Sequence, residues 1–337
     1  MKKFINIIEL MDHFGLKSDP FGKPLKEEIY RSKNYLKSLD LVSGWLYRGE
    51  MGAIVGPPGA GKTTLINDLT EHAGKTHDLT LVHVGHPGRR EVYFACVYDA
   101  LQPMLAESGI VFKRSNQIRF AQLREWLYSM KGRHVGLVLD EAHRYRSEFM
   151  RGMKEFSEAA YAERVDLLGV LFVGWRGFLD NCARYAPDIY RRLRTGRKVI
   201  DAQELMASSA REYIAHRTSA AGNGRLFEEK AKNAIAALAR TPIDINTECW
   251  DALDVAFSNG SKTVKLEHVA ANHSLEEMKA ALGLTLEQVA ERTSYQKTTV
   301  HSVLKGNYCG RNEAEGQVRD VLLDALGGTE KAKKRSA

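Results

Sequence analysis

Gly56-Pro57-Pro58-Gly59-Ala60-Gly61-Lys62-Thr63 fits the pattern G-x-x-x-x-G-K-[ST] at every fixed position. It stands between an apolar run, Met51-Gly52-Ala53-Ile54-Val55, and a segment of helical composition, Thr64-Leu65-Ile66-Asn67-Asp68-Leu69. Strand, glycine-rich turn and helix in that order point backbone N–H groups at an anion. Gly56 and Gly61 let the backbone approach phosphates, Lys62 would reach the β- and γ-phosphates, and the Thr63 hydroxyl would hold Mg²⁺. The nucleotide-binding stretch is expected to run from Gly56 through Thr64, with Pro57, Pro58, Gly59 and Ala60 inside it, and its ligands to be ATP and Mg²⁺.

Outward from this loop, short apolar runs alternate with amphipathic ones as far as Ile200. Leu79–Val84, Val135–Leu139 and Leu167–Val173 are rich in β-branched residues, as strands buried on both faces should be. Val92–Glu107, Gln117–Met130 and Glu148–Glu163 read as connecting helices, and Ser32–Tyr47 as a helix before the first strand. The pattern predicts an α/β three-layer core with a parallel sheet. Beyond Ile200 the strand signals fade, and Gln203–Ala220, Phe227–Ala239, Thr247–Phe257 and Val264–Ala271 look helical, with Pro242 as a separator. The expected organisation is a lead-in segment over 1–45, the nucleotide-binding core over 46–202, a helical lid over 203–271, a helix-turn-helix domain over 272–328 and a basic tail over 329–337.

The 337 residues allow two or three domains, each with its own core. Forty-nine Lys and Arg against 42 Asp and Glu give +7, an excess compatible with an anionic partner without demanding one. The four cysteines are dispersed, with no C-x-x-C pair, so neither a zinc site nor a disulfide framework is indicated and a reducing cytoplasm fits best. No stretch approaches the roughly 20 apolar residues of a spanning helix, so no membrane role is expected.

Val135–Leu139 runs into Asp140-Glu141-Ala142-His143. An acidic pair at the end of a strand neighbouring the phosphate loop is what triphosphate hydrolysis needs: Asp140 to orient Mg²⁺ and Glu141 to polarise the attacking water. Tyr190-Arg191-Arg192-Leu193-Arg194 follows the last core strand and one helix. Arg192 and Arg194 there could reach the γ-phosphate of a neighbouring subunit, or belong to a solvated or DNA-contacting basic patch.

With these motifs in place the chain resembles AAA+ ATPases, in the branch that holds the transposition regulators MuB and TnsC and the secretion ATPase ExeA. The resemblance spans about residues 10–270: Phe14-Gly15-Leu16, Asp19-Pro20-Phe21, Gly56–Thr63, Leu137–His143 and Leu171–Gly174. It implies an ATPase that forms a ring or helical filament with nucleotide between subunits, assembles on target DNA and meets a transposase. Two departures bear on turnover. Trp175 stands where the family often carries a polar residue sensing the γ-phosphate, and Thr241-Pro242-Ile243 lacks the arginine of a second sensor.

Leu286–Leu304 has small or apolar residues at Val289, Ala290, Thr293, Tyr295, Val300 and Val303, the spacing of two helices crossing through a tight turn. Ser294 takes the place where glycine is commonest in such a turn. The outer face then presents Gln296, Lys297, Thr298, Thr299, Ser302 and Lys305, side chains able to contact phosphates and base edges. The segment resembles the DNA-binding helix-turn-helix domain of MuB, which there precedes the ATPase. In the core, Arg89 and Arg90, with Lys113 and Arg114, are the candidate contacts of pore-facing loops to DNA. Two other readings fit the same residues: a transcriptional regulator with an ATPase switch, and a secretion-type motor that binds no DNA.

Overall fold

A computed structural model of the chain describes residues 7–76, 78–85, 95–130, 133–159, 161–162, 165–166, 168–206, 208–310 and 312–328. Arg89, Arg90 and the basic tail lie outside the described residues. The chain divides into two compact units, Lys33–Leu205 and a second that joins Met1–Ser32 to Met206–Ala337.

The chain opens with helix α1 (Ile7–Phe14), which belongs to the second unit. The first unit then runs α2 (Lys33–Tyr47), β1 (Met51–Val55), α3 (Lys62–Thr76), β2 (Leu79–Val84), α4 (Ala95–Glu107), α5 (Asn116–Ser129), β3 (His134–Leu139) and α6 (Ser147–Ala159). A two-residue hairpin, β4 (Tyr161–Ala162) with β5 (Val165–Asp166), leads to β6 (Leu168–Gly174), α7 (Gly177–Tyr185), α8 (Pro187–Thr195) and β7 (Val199–Asp201). Helix α6 thus stops before the hairpin, short of the Glu163 that composition suggested.

The five-stranded sheet has the order β2-β3-β6-β1-β7, with every pairing parallel. All residues of β1 and β6 are buried, and all but the first of β3. That burial is why these strands read as unbroken apolar runs instead of alternating ones. The order corrects one expectation: the strand that ends at the acidic pair does not neighbour β1, because β6 lies between them. Strand β7 was not anticipated. It is three residues long, directly after Arg197 and Lys198, too short to register as an apolar run.

The second unit continues with α9 (Ala210–Ala220), α10 (Glu229–Leu238), α11 (Pro242–Ser258), α12 (Leu266–Ala270), α13 (Leu275–Ala281), α14 (Leu286–Thr293), α15 (Lys297–Leu304) and α16 (Asn312–Leu326). Phe14, Phe21, Ile214, Ile235, Leu253, Val289, Val300 and Leu322 belong to one hydrophobic core. Expected as separate domains, residues 203–271 and 272–328 share that core, with α10 touching both α13 and α16. Helix α9 starts later than predicted because a 3₁₀ turn, Ala202–Met206, precedes it and Ser208 takes a φ of 63°. Pro242 does not separate helices; it opens α11 at its first turn. Thr241 and Asp244 exchange side-chain and backbone bonds in a capping box, and a proline there loses only an N–H that has no helical partner.

The lead-in segment is fixed to this unit by Arg217. Its buried guanidinium donates to the carbonyls of Pro20 at 2.6 Å and Gly22 at 2.7 Å, while Asp19 accepts from the N–H groups of Phe21 and Gly22. The Phe14-Gly15-Leu16 and Asp19-Pro20-Phe21 motifs are therefore packing elements of the helical unit, with Phe14, Leu16 and Phe21 buried.

Candidate nucleotide-binding site

Strands β1, β3, β6 and β7 end at one edge of the sheet, since Val55 pairs with both Gly174 and Asp201, and Leu139 with Phe172. Ligands of open parallel sheets bind beyond that carboxyl edge. Gly56 leaves β1 there, its N–H donating to Gly174 O at 3.1 Å. Gly59 and Gly61 have φ of 75° and 89°, a region that β-carbons disfavour, and they turn the chain into α3. Lys62 is the first residue of α3 and Thr63 the second. The first N–H groups of any α-helix lack intrahelical partners, so this 15-residue helix presents donors to an anion.

Lys62 folds back over the loop, donating from Nζ to Gly56 O at 2.9 Å and Pro57 O at 2.8 Å. Burial lowers its pKa below the ordinary lysine value, and the negative charges of Glu141 and Asp140 oppose that fall. Residues almost eighty positions apart in the sequence are thus within electrostatic reach of one another. Asp140 and Glu141 are exposed, and Asp140 Oδ1 accepts the Glu141 N–H at 2.8 Å. Glu141 takes a left-handed backbone, φ 51° and ψ 38°, before a 3₁₀ turn over Ala142–Arg144. A non-glycine residue in that region holds strain of about 1–3 kcal/mol, characteristic of sites where the surroundings fix a side chain's aim.

Among the described residues no cluster of three or more His, Cys, Asp or Glu could by itself hold a metal. The donor set fits Mg²⁺ nonetheless: this ion takes one or two protein oxygens and completes its shell with water and substrate phosphates. The Thr63 hydroxyl and the Asp140 carboxylate, both exposed at this edge, are such oxygens.

The arginines lie elsewhere. Arg192 lines an open groove of about 600 Å³ with Glu50, Met51, Lys154, Asp188 and Arg191, beside the start of β1. The phosphate loop leaves β1 at its other end, so Arg192 does not meet the loop of its own chain. Asp188 is held below the ordinary carboxylate range first by the hydrogen bond from Lys154, with Arg192 and Arg191 adding to it. Arg194 is exposed on the same helix.

Lys113 and Arg114 are exposed on the connection between α4 and α5. That connection is braced from both helices: Gln102 donates to Ile110 O and accepts from the Phe112 N–H, and Gln122 donates to Val111 O and accepts from the Lys113 N–H.

In the C-terminal helices, α14 and α15 are joined through Ser294, Tyr295 and Gln296, and Ser294 adopts the left-handed conformation, φ 58°, that explains the preference for glycine there. Gln296, Lys297, Thr298 and Lys305 are exposed, and Thr299 and Ser302 partly so. Sequence reasoning missed their partners: Lys297 pairs with Glu287 at 2.6 Å and Lys305 with Glu276 at 2.7 Å. Residues 272–328 carry six Lys and Arg against eight Asp and Glu, whereas residues 33–205 carry 25 against 20. Most of the positive excess, five of the net seven charges, resides in residues 33–205.

Residues 47–181 match the family model of an AAA domain. No curated protein matches the chain. Among solved structures, Drosophila ORC bound to DNA is similar at 14% identity and a TM-score of 0.50, over 97% of this chain and 87% of that one. Cdc6p from Pyrobaculum aerophilum aligns at 20% identity and a TM-score of 0.48, over 92% and 83%. RuvB from Thermotoga maritima, the Holliday junction branch migration motor, aligns at 15% and 0.39, over 86% and 90%. The chain is an α/β protein with a P-loop core, whose residues 47–181 match an AAA domain, and a helical C-terminal region; that match supports nucleotide hydrolysis as its general activity. No helix among the described residues is long and apolar enough to cross a membrane.

Proposed function

We propose that this chain is an ATP-dependent DNA-binding regulator of transposition, which assembles on target DNA as a ring or filament and recruits or activates a transposase. The observation that carries the ATPase part is the electrostatic convergence of Lys62, Asp140 and Glu141 at the carboxyl edge of the sheet. ATP would lay its phosphates over Gly56–Thr64, and Lys62 would exchange the Gly56 and Pro57 carbonyls for phosphate oxygens. Thr63 and Asp140 would hold Mg²⁺, which would neutralise charge at those oxygens. Glu141 would take the proton of a water whose oxygen forms the new bond to the γ-phosphorus. The bond from that phosphorus to the bridging oxygen breaks, leaving ADP and inorganic phosphate. Arg192 or Arg194 of a neighbouring subunit would complete the site, in keeping with the place of Arg192 at the far end of β1 from its own loop.

DNA association rests on the charge distribution. The net positive sheet unit, with Lys113 and Arg114 on a braced connection, suits sequence-independent phosphate contacts. Helix α15 would add base-edge contacts from Gln296, Thr298, Thr299 and Ser302. The transposition role follows from the resemblance to MuB and TnsC. Gel shifts on random and operator-like duplexes, with and without ATP, test it. ATP-dependent, sequence-tolerant binding is expected; ATP-independent preference for one site would make the chain a transcriptional regulator, and absence of binding would end both DNA readings. Stimulation of an integrase-type transposase on bound DNA is the test of the regulatory step.

A further inference from the structure

Trp175 directly follows β6 and is anchored there. Its indole is 51% exposed and lies almost parallel to the His143 imidazole, with ring centroids 4.9 Å apart and planes at 16°. From that stack the His143 Nε2 comes within 3.4 Å of Glu141 Oε2. The other ring nitrogen, Nδ1, is buried and has no hydrogen-bond partner. An unpaired lone pair at a buried site costs less than an unpaired N–H donor, so the proton belongs on Nε2, facing the carboxylate. The backbone around the ring leaves little room. A β-carbon on Gly174 would lie 3.2 Å from the amide nitrogens of Ala142 and His143 and 3.3 Å from Nδ1, so a side chain there would press the 3₁₀ turn away from β6 by a few tenths of an ångström. Gly174 also accepts the Gly56 N–H. The end of β6 therefore touches the acidic turn on one side and the phosphate loop on the other.

We propose that His143 is a positioning residue for Glu141, and that Trp175 is the platform that sets the imidazole's plane. The left-handed backbone of Glu141 lifts the carboxylate out of the line of β3, where it would otherwise swing in solvent. His143 limits that freedom by offering one donor in a fixed direction. Holding the carboxylate in one orientation before water arrives is a form of preorganisation. It requires an aromatic plane at position 175, which a polar side chain would not supply. This inference rests on Glu141 acting in ATP hydrolysis.

The test is steady-state ATPase kinetics of the full chain, together with nucleotide affinity from a fluorescent ATP analogue. His143→Ala is expected to lower kcat by roughly 10- to 100-fold, with analogue affinity and KM within about twofold of the wild type. His143→Gln keeps a donor at similar reach and should recover part of the rate. Trp175→Ala should lower kcat in the same way, whereas Trp175→Phe, which keeps a ring, should not. Adding His143→Ala to Glu141→Gln should cost nothing further, because the group it positions is already gone. Wild-type kcat in His143→Ala, or a parallel fall of kcat, affinity and melting temperature without rescue by Gln, would overturn the assignment. If His143→Ala does not fold, Trp175→Ala against Trp175→Phe decides. A wild-type protein that binds the analogue but never hydrolyses ATP would instead sink the ATPase reading, and this inference with it.

Discussion

The ammonium of Lys62 lies 2.9 Å from the carbonyl oxygen of Gly56, closing the phosphate loop on itself across six residues. A half-buried cation held by carbonyl dipoles and two nearby carboxylates gains strongly from a phosphate, whose full charge replaces partial ones. Lys62→Ala is expected to abolish ATP binding and, with it, assembly on DNA. Fluorescent-nucleotide titration and DNA gel shifts check the two halves separately. Nucleotide affinity within tenfold of the wild type would remove Lys62 from the phosphate site, and ATP-dependent assembly that survives the substitution would break the link between nucleotide and DNA.

Glu141→Gln keeps the side chain's size and removes its ability to take a proton. Hydrolysis should fall by roughly 100-fold or more, and the protein should stay loaded on DNA in ATP for longer than the wild type. Faster release from DNA in stopped-flow dissociation would argue against Glu141 as the group that acts on water.

Arg192 opens on a groove at the start of β1 while the phosphate loop leaves its end, about 17 Å along a five-residue strand. Any action on a γ-phosphate must then be on a neighbouring subunit's. Arg192→Ala and Arg194→Ala should each be inactive alone if required, and mixing either with Lys62→Ala should restore part of the ATPase rate, since mixed interfaces pair an intact loop with an intact arginine. Mixtures that remain as inactive as their components would leave both arginines as surface charge.

Much of the core was legible because a strand buried on both faces must be apolar throughout, and Met51–Val55 and Leu79–Val84 are bounded in the structure as in the sequence. The phosphate loop was legible because its chemistry is local. What escaped notice depends on distant partners. That β6 separates β1 from β3 follows from sheet order, and the pairing of His143 with Trp175 follows from the register it imposes. Arg217 reaches Pro20 across nearly two hundred residues, which joins the lead-in segment to the helical unit. Pro242 was misjudged for a local reason, since a proline that interrupts a helix also starts one when a capping threonine precedes it.

The lysines of α15 are each engaged by a carboxylate, so DNA binding there would exchange Glu287 and Glu276 for phosphates. Exposed pairs of this kind are weakened by solvent screening and do not prevent the exchange. If Lys297 and Lys305 contact phosphates, replacing both with Ala should reduce the slope of log affinity against log salt by roughly 2, close to 0.9 per phosphate contact. An unchanged slope would place the DNA contacts in the sheet unit alone.

His273, on the connection from α12 to α13, bonds Glu248 of α11 at 2.7 Å, with both side chains mostly buried. The bond to Glu248 raises the imidazole pKa above its ordinary 6.5, burial opposes the rise, and Glu277 and Asp251 add to it. A folded-state pKa above the unfolded one means that folding takes up a proton. The stabilisation is complete below about 6.5 and is lost as pH rises through the raised value. Glu248→Gln removes the charge that holds the proton while keeping the shape. Thermal unfolding of the wild type against this variant should therefore differ most near pH 6, and the difference should shrink steadily toward pH 9. A difference of constant size across that range would mean that the pair contributes packing or a neutral hydrogen bond, and that α11 is not tied to the α12–α13 connection by charge.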